Sequence, residues 1–70
     1  MEAERTKLIR IEDSMGADVH IEAKTIRGAL RKARELLQIR VPLRCKSVGY
    51  NFVEYGCNST GYSVVLSVSD

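Results

Sequence analysis

The sequence predicts a single α+β domain over residues 1–70: a two-layer sandwich, ordered ββαββ, with one amphipathic helix packed on a four-stranded antiparallel sheet. Three observations predict it. Residues 7–23 contain two stretches in which apolar and polar side chains alternate, the period of a half-buried strand. From residue 26 the apolar period changes from two to 3.6, that of a helix with one buried face. Beyond Pro42 the alternation returns in two further runs. A chain of 70 residues buries only about 60 % of its unfolded surface, which leaves room for one core.

In the first strand, "TKLIRIE", Ile9 and Ile11 share one side. "ADVHIEA" follows, with Ala17, Val19, Ile21 and Ala23 on one face and Asp18, His20 and Glu22 on the other. The turn formers of "DSMGAD" between them predict a hairpin. Thr25 offers an N-cap hydroxyl, and Ile26, Ala29, Leu30, Ala33, Leu36 and Leu37 form the apolar stripe of a helix of about four turns. Pro42, which lacks an amide hydrogen and biases its predecessor away from helix, places the end near Gln38 to Arg40.

The third strand is read in "LRCKSVGYNFVEY", where the alternation slips between Lys46 and Gly49 and predicts a bulge helped by Gly49. "GCNST" turns the chain into "GYSVVLSVS", with Tyr62, Val64, Leu66 and Val68 on one face and Ser63, Val65, Ser67 and Ser69 on the other. The sheet face away from the helix is expected to be wet. Tyr50, Phe52, Tyr55 and Tyr62 are expected to pack in the core or across strands; if Tyr50 and Phe52 faced the open side, they could instead stack on bases.

Several function classes find no support in the composition. No apolar run reaches the roughly 20 residues that span a bilayer, and "MEAERTKLIR" lacks the apolar stretch of a signal peptide, so a soluble cytoplasmic protein with no membrane partner is expected. Cys45 and Cys57 are too few for a disulfide framework, and a single extended strand between them would hold them beyond bonding reach. Cys45 is expected as a buried thiol and Cys57 as a turn residue. His20 is the one histidine, a surface residue among carboxylates with no nucleophile beside it. No catalytic residues, no metal ligands and no cofactor are expected. "NST" at Asn58 matches a glycosylation sequon and is read as a turn.

The net charge of +2 is unevenly spread. Residues 1–23 carry −3, residues 47–70 carry −2, and residues 24–46 carry +7, where Glu35 alone opposes Lys24, Arg27, Arg31, Lys32, Arg34, Arg40, Arg44 and Lys46. At 100° per residue, Arg27, Arg31, Arg34 and Gln38 share a strip about 60° wide, with Lys32 and Gly28 on the far flank. Cations in the first turn oppose the helix dipole, and an exposed helical glycine costs up to about 1 kcal/mol. A face that violates both local preferences is read as tuned for a partner, against the plainer reading of a solvated helix surface. The partner-binding residues predicted are Lys24, Arg27, Gly28, Arg31, Lys32, Arg34, Arg40 and Arg44.

"VHIEAKTIRGALRKAREL", residues 19–36, combines a strand ending in "IEA", a Thr-led helix start and alanines spaced among cations. In this it resembles small phage-encoded anti-CRISPR proteins, particularly type I-F inhibitors with one helix on an antiparallel sheet. The likeness continues in the topology of the following strands, while the long "CKSVGYNFVEYGC" stretch departs from it. The resemblance implies a non-enzymatic inhibitor that docks on a CRISPR effector complex in the host cytoplasm and obstructs where target DNA enters or pairs.

Three readings of the chain follow. The first is such an inhibitor, its basic helix face docking on a protein complex that handles nucleic acid. The second is a domain that binds DNA or RNA directly through the same face, for which a pI of about 8.7 is low. The third is an enzyme fragment or assembly subunit whose open sheet face or last strand pairs with another copy; monomer and dimer are both open.

Overall fold

The computed structural model describes residues 6–69; residues 1–5 and 70, over which part of the acidic N-terminal stretch and the signal-peptide reading fall, and the side chain of Ser69 lie outside the described residues. The chain forms β1 (Lys7–Asp13), β2 (Asp18–Ala23), α1 (Ile26–Leu36), β3 (Arg44–Val48), β4 (Phe52–Gly56) and β5 (Ser63–Ser69). All strand pairs are antiparallel, in the sheet order β2-β1-β5-β4-β3. The expected α+β class holds, with five strands in place of four and the order ββαβββ in place of ββαββ.

The extra strand comes from the run after Pro42. Residues 44–56 are not one strand with a bulge but a hairpin, closed where the Gly49 amide donates to the Phe52 carbonyl at 2.8 Å. A bulge is present, between Cys45 and Ser47, so Lys46 is the unpaired residue and Gly49 belongs to the turn.

Register explains the core. Ile9 and Ile11 oppose Ile21 and Val19 on one side and Val68 and Leu66 on the other, so every second residue of β2, β1 and β5 points under the helix. Ile9, Ile11, Val64 and Leu66 are fully buried there, closed from above by Ala29 and Ala33. The two alanines allow close approach of helix and sheet. Leu36, assigned to the apolar stripe, is instead 59 % exposed on the helix shoulder.

Thr25 caps the helix as expected, its Oγ1 accepting the Gly28 amide at 3.0 Å. The end comes earlier than the proline predicts. Gln38 takes a left-handed φ of 54°, its amide turns back to Glu35, and the Ile39 amide reaches the Arg34 carbonyl at 2.9 Å. This Schellman closure satisfies the last carbonyls and stops α1 at eleven residues.

α1 starts beside β2 at one edge, and residues 37–43 carry the chain on to β3 at the other. Five strands spaced about 4.8 Å apart span about 19 Å, whereas a helix is about 10 Å wide. One helix therefore covers β2, β1 and β5 and leaves β4 and β3 open on the same face. All five residues of β3 are exposed.

The cysteine expectations are corrected by this geometry. Cys45 lies on the uncovered edge strand and is exposed, while Cys57 is the buried one, in the turn after β4. The hairpin also folds the intervening chain back on itself, so the extended-strand separation does not apply; both thiols are nevertheless free.

Candidate functional site

A groove of about 920 Å³ runs between α1 and the uncovered part of the sheet, lined by Thr25, Arg27, Gly28, Leu30, Arg31, Arg34, Leu43 and Tyr55. Its wall is the helix strip and its floor is apolar. Tyr55 reaches it because it sits in register with Val64, a core residue, so its ring emerges on the helix side where cover ends. Leu30 and Leu43 pack against the core edge and are only half buried. Beside the start of α1, Ile26, Val48, Val53 and Val68 line a second hollow that continues the same face.

Eight residues were predicted to bind a partner, and the structure brings four of them, Arg27, Gly28, Arg31 and Arg34, into this groove. Arg27 and Arg31 are exposed and, among the described residues, form no hydrogen bond or ion pair with the protein. Arg34 is half buried, and its Nη2 donates to the Val41 carbonyl at 3.1 Å, which ties the helix to its exit loop. A side chain at Gly28 would approach Thr25 Oγ1 to 3.3 Å, so this glycine also eases the cap.

The other four lie elsewhere. Lys32 reaches across the opposite flank, its Nζ donating to the Glu22 carbonyl of β2 at 2.8 Å. Lys24 is exposed ahead of the cap. Arg40 lines a separate hollow at the far end of the helix, with Met15, Leu37, Ile39 and Tyr62. Arg44 opposes Gly56, one register step from Tyr55, and so belongs to the reverse face. Lys46, part of the basic segment, folds over Gly56 and donates to Asn58 Oδ1.

The reverse face neutralises itself. Arg10 binds Asp18 through two bonds of 3.0 and 2.7 Å and lies 3.3 Å from Glu12, while His20 stands exposed opposite Arg10. The bond to Arg10 holds the Asp18 carboxyl below its usual range. Arg27 and Arg31 leave positive charge without an ion pair among the described residues in the groove, while Arg40 and Arg44 stand exposed outside it.

Sequence reasoning missed the floor. Tyr55 packs against the core edge as expected, but the groove it also lines, and the places of Leu43, Val48 and Val53 on that face, depend on the hairpin that splits β3 from β4. Of the other aromatics, Tyr50 is fully exposed at the hairpin tip, Phe52 lies against Gly49, and Tyr62 packs against the core.

Among the described residues no three histidine, cysteine or acidic side chains gather as metal ligands, and no helix is long and apolar enough to cross a membrane. No protein-family model, curated protein or solved structure matches this chain. The fold and the groove therefore define an α+β protein with a half-covered sheet and a cationic cleft at the boundary of the cover.

Proposed function

We propose that this chain is a small non-enzymatic binding protein, an inhibitor of the anti-CRISPR kind, that docks the basic face of α1 on a protein complex handling nucleic acid. One observation carries the reading: two arginines with no partner among the described residues, Arg27 and Arg31, line one groove with apolar Leu30, Leu43 and Tyr55. Arginine beside aromatic and aliphatic anchors is the composition that carries most of the affinity in protein interfaces. The surrounding positive field would speed encounter with an acidic surface. A cationic wall is repelled from the basic channel in which such a complex holds nucleic acid. Docking is therefore on an acidic flank, and obstruction is steric.

The test is a DNA-binding assay with purified type I surveillance complexes, with and without the protein. Target binding should fall with the wild-type chain and recover with Arg27→Glu/Arg31→Glu. Unchanged DNA binding by every complex at micromolar inhibitor would overturn the reading.

Direct nucleic-acid binding is favoured by one feature, the Tyr55 ring in the same groove as the arginines. Two or three phosphate contacts on a single strand predict a loss of roughly 7- to 20-fold between 50 and 200 mM salt. A mobility shift with that salt response, abolished by the same double variant, would make DNA or RNA the partner.

A further inference from the structure

We propose that the open half of the helix-side sheet face receives an acidic amphipathic α-helix from a protein partner, lying beside α1 as the second covering helix. The proposal deepens the reading above and rests on its premise that the partner is a protein.

Space argues for a helix. The uncovered strip of β4 and β3 adds about two strand spacings beyond β5, close to the 8–10 Å that separates packed helix axes. The strip presents side chains: Val48 is 69 % exposed, Cys45 is exposed, and Val53 and Tyr55 are half buried. In register, Cys45 faces Tyr55 and Val48 faces Val53, so these four form one patch on the helix side.

Charge selects an acidic helix. Arg27, Arg31 and Arg34 follow one another at intervals of four and three residues, so their guanidinium groups line one wall along its length. A helix with apolar residues toward Val48 and Tyr55 and carboxylates on one flank would meet both surfaces at once.

Other occupants fit less well. An extended peptide added to the free edge of β3 would lie beyond the patch, and the bulge at Lys46 interrupts that edge. At the opposite edge, β2, which lies on the far side of α1 from the patch, Lys32 occupies the Glu22 carbonyl. A second copy has no suitable helix to offer, since α1 carries Glu35 as its one acidic residue among four cations. Bases would find Tyr55 as the one aromatic ring of the groove, with Tyr50 and Phe52 set apart at the hairpin end of the second hollow.

The experiment is selection from a displayed library of random 16-residue peptides on the wild-type protein. The selected peptides are then titrated into wild type, Arg27→Glu/Arg31→Glu and Val48→Asp, with circular dichroism of each complex. The expected peptides have apolar residues at i, i+3 or i+4 and i+7 with Asp or Glu alongside, gain helicity on binding, and bind both variants at least tenfold more weakly. Peptides with strand alternation, or none that prefers wild type to the double variant, would overturn the proposal. So would sedimentation showing a wild-type dimer dissociated by Val48→Asp. If acidic helices bind but no surveillance complex does, the surface stands and the inhibitor reading falls. If a complex binds and the selected peptides do not compete, this proposal falls alone.

Discussion

The Tyr62 hydroxyl donates to the Asp13 carboxylate at 2.7 Å, joining the start of the last strand to the end of the first across 49 residues of chain. The same carboxylate accepts the Met15 and Ala17 amides at 2.9 and 2.8 Å, so one side chain organises the β1–β2 turn and pins it to β5. Burial raises the Asp13 pKa, but the bonds from Tyr62 and the turn amides outweigh it and hold the carboxyl below its usual range. Burial and the Asp13 charge push the Tyr62 phenol upward.

Tyr62→Phe is therefore expected to cost about 0.5–1.5 kcal/mol near neutral pH, or several degrees in Tm. A carboxyl depressed in the folded state contributes stability above its unfolded pKa of about 3.9 and loses it as pH falls through the folded value. The gap between wild type and Tyr62→Phe should narrow as thermal melts are taken from pH 6 down to pH 2. A gap that stayed constant would mean that the phenol acts by packing alone.

Much of this frame was legible in the sequence, for a physical reason. β1, β2 and β5 each have one buried face, which imprints period two, and Thr25 announces the helix with a hydroxyl at the right spacing. The β3–β4 hairpin was not legible. Neither of its faces is fully buried, the bulge at Lys46 breaks what alternation remains, and Tyr50, a good strand former, occupies the turn. The arginine strip could be read from a helical wheel because it lies within one element. The floor could not, since it depends on how far a helix reaches across a sheet whose fifth strand was unseen.

The three groove arginines are expected to separate in their effects on stability. Arg27→Glu/Arg31→Glu alters two exposed side chains and places a carboxylate in the first turn, which the helix dipole favours, so urea unfolding should move by no more than about 0.5 kcal/mol. Arg34→Ala removes the bond to Val41 and should cost about 1–2 kcal/mol. A large loss in the double variant would reveal structural partners for Arg27 or Arg31 and weaken its use as a binding probe.

Gln38→Gly is expected to stabilise the fold by roughly 0.5–1 kcal/mol, because the left-handed conformation at φ 54° is one that a side chain resists and glycine does not. Chemical denaturation decides it. A destabilised variant would show that the Gln38 side chain contributes more than its backbone strain costs.

Cys57 should make stability depend on pH in the alkaline range. Its Sγ lies 3.2 Å from Ser59 Oγ, and hydrogen bonds from Ser59 and Thr60 favour the thiolate over burial, lowering its pKa to about 7. Because the folded value lies below the ordinary value of about 8.5, this contribution grows as pH rises from 7 to 9 and is lost as pH falls through 7. Tm measured across pH 6–9.5 should rise in wild type relative to Cys57→Ala, with exposed Cys45 replaced by serine in both. Parallel curves would place the thiol outside any ionisable network.

The hairpin that supplies the Val48 and Val53 patch depends on Gly49, whose φ is not in the left-handed region. A Cβ at Gly49 would lie 1.9 Å from Phe52 Cε1, so Gly49→Ala forces the ring off the turn or opens the turn itself. Overpacking of this kind costs about 1–3 kcal/mol. Because β3 pairs only with β4, the damage should be local: faster amide exchange in β3 and β4, little change in β1 and β5, and weaker binding of any ligand that rests on Val48 and Val53. Gly28→Ala is the comparison: its Cβ meets the capping Thr25 Oγ1 at a tight 3.3 Å, which sets a strained cap against up to about 1 kcal/mol of helix propensity, and either effect stays at the start of α1. If Gly49→Ala, like Gly28→Ala, left exchange in β3 untouched, the hairpin would be held by something other than the Gly49 and Phe52 contact, and the Val48 and Val53 patch would not depend on it.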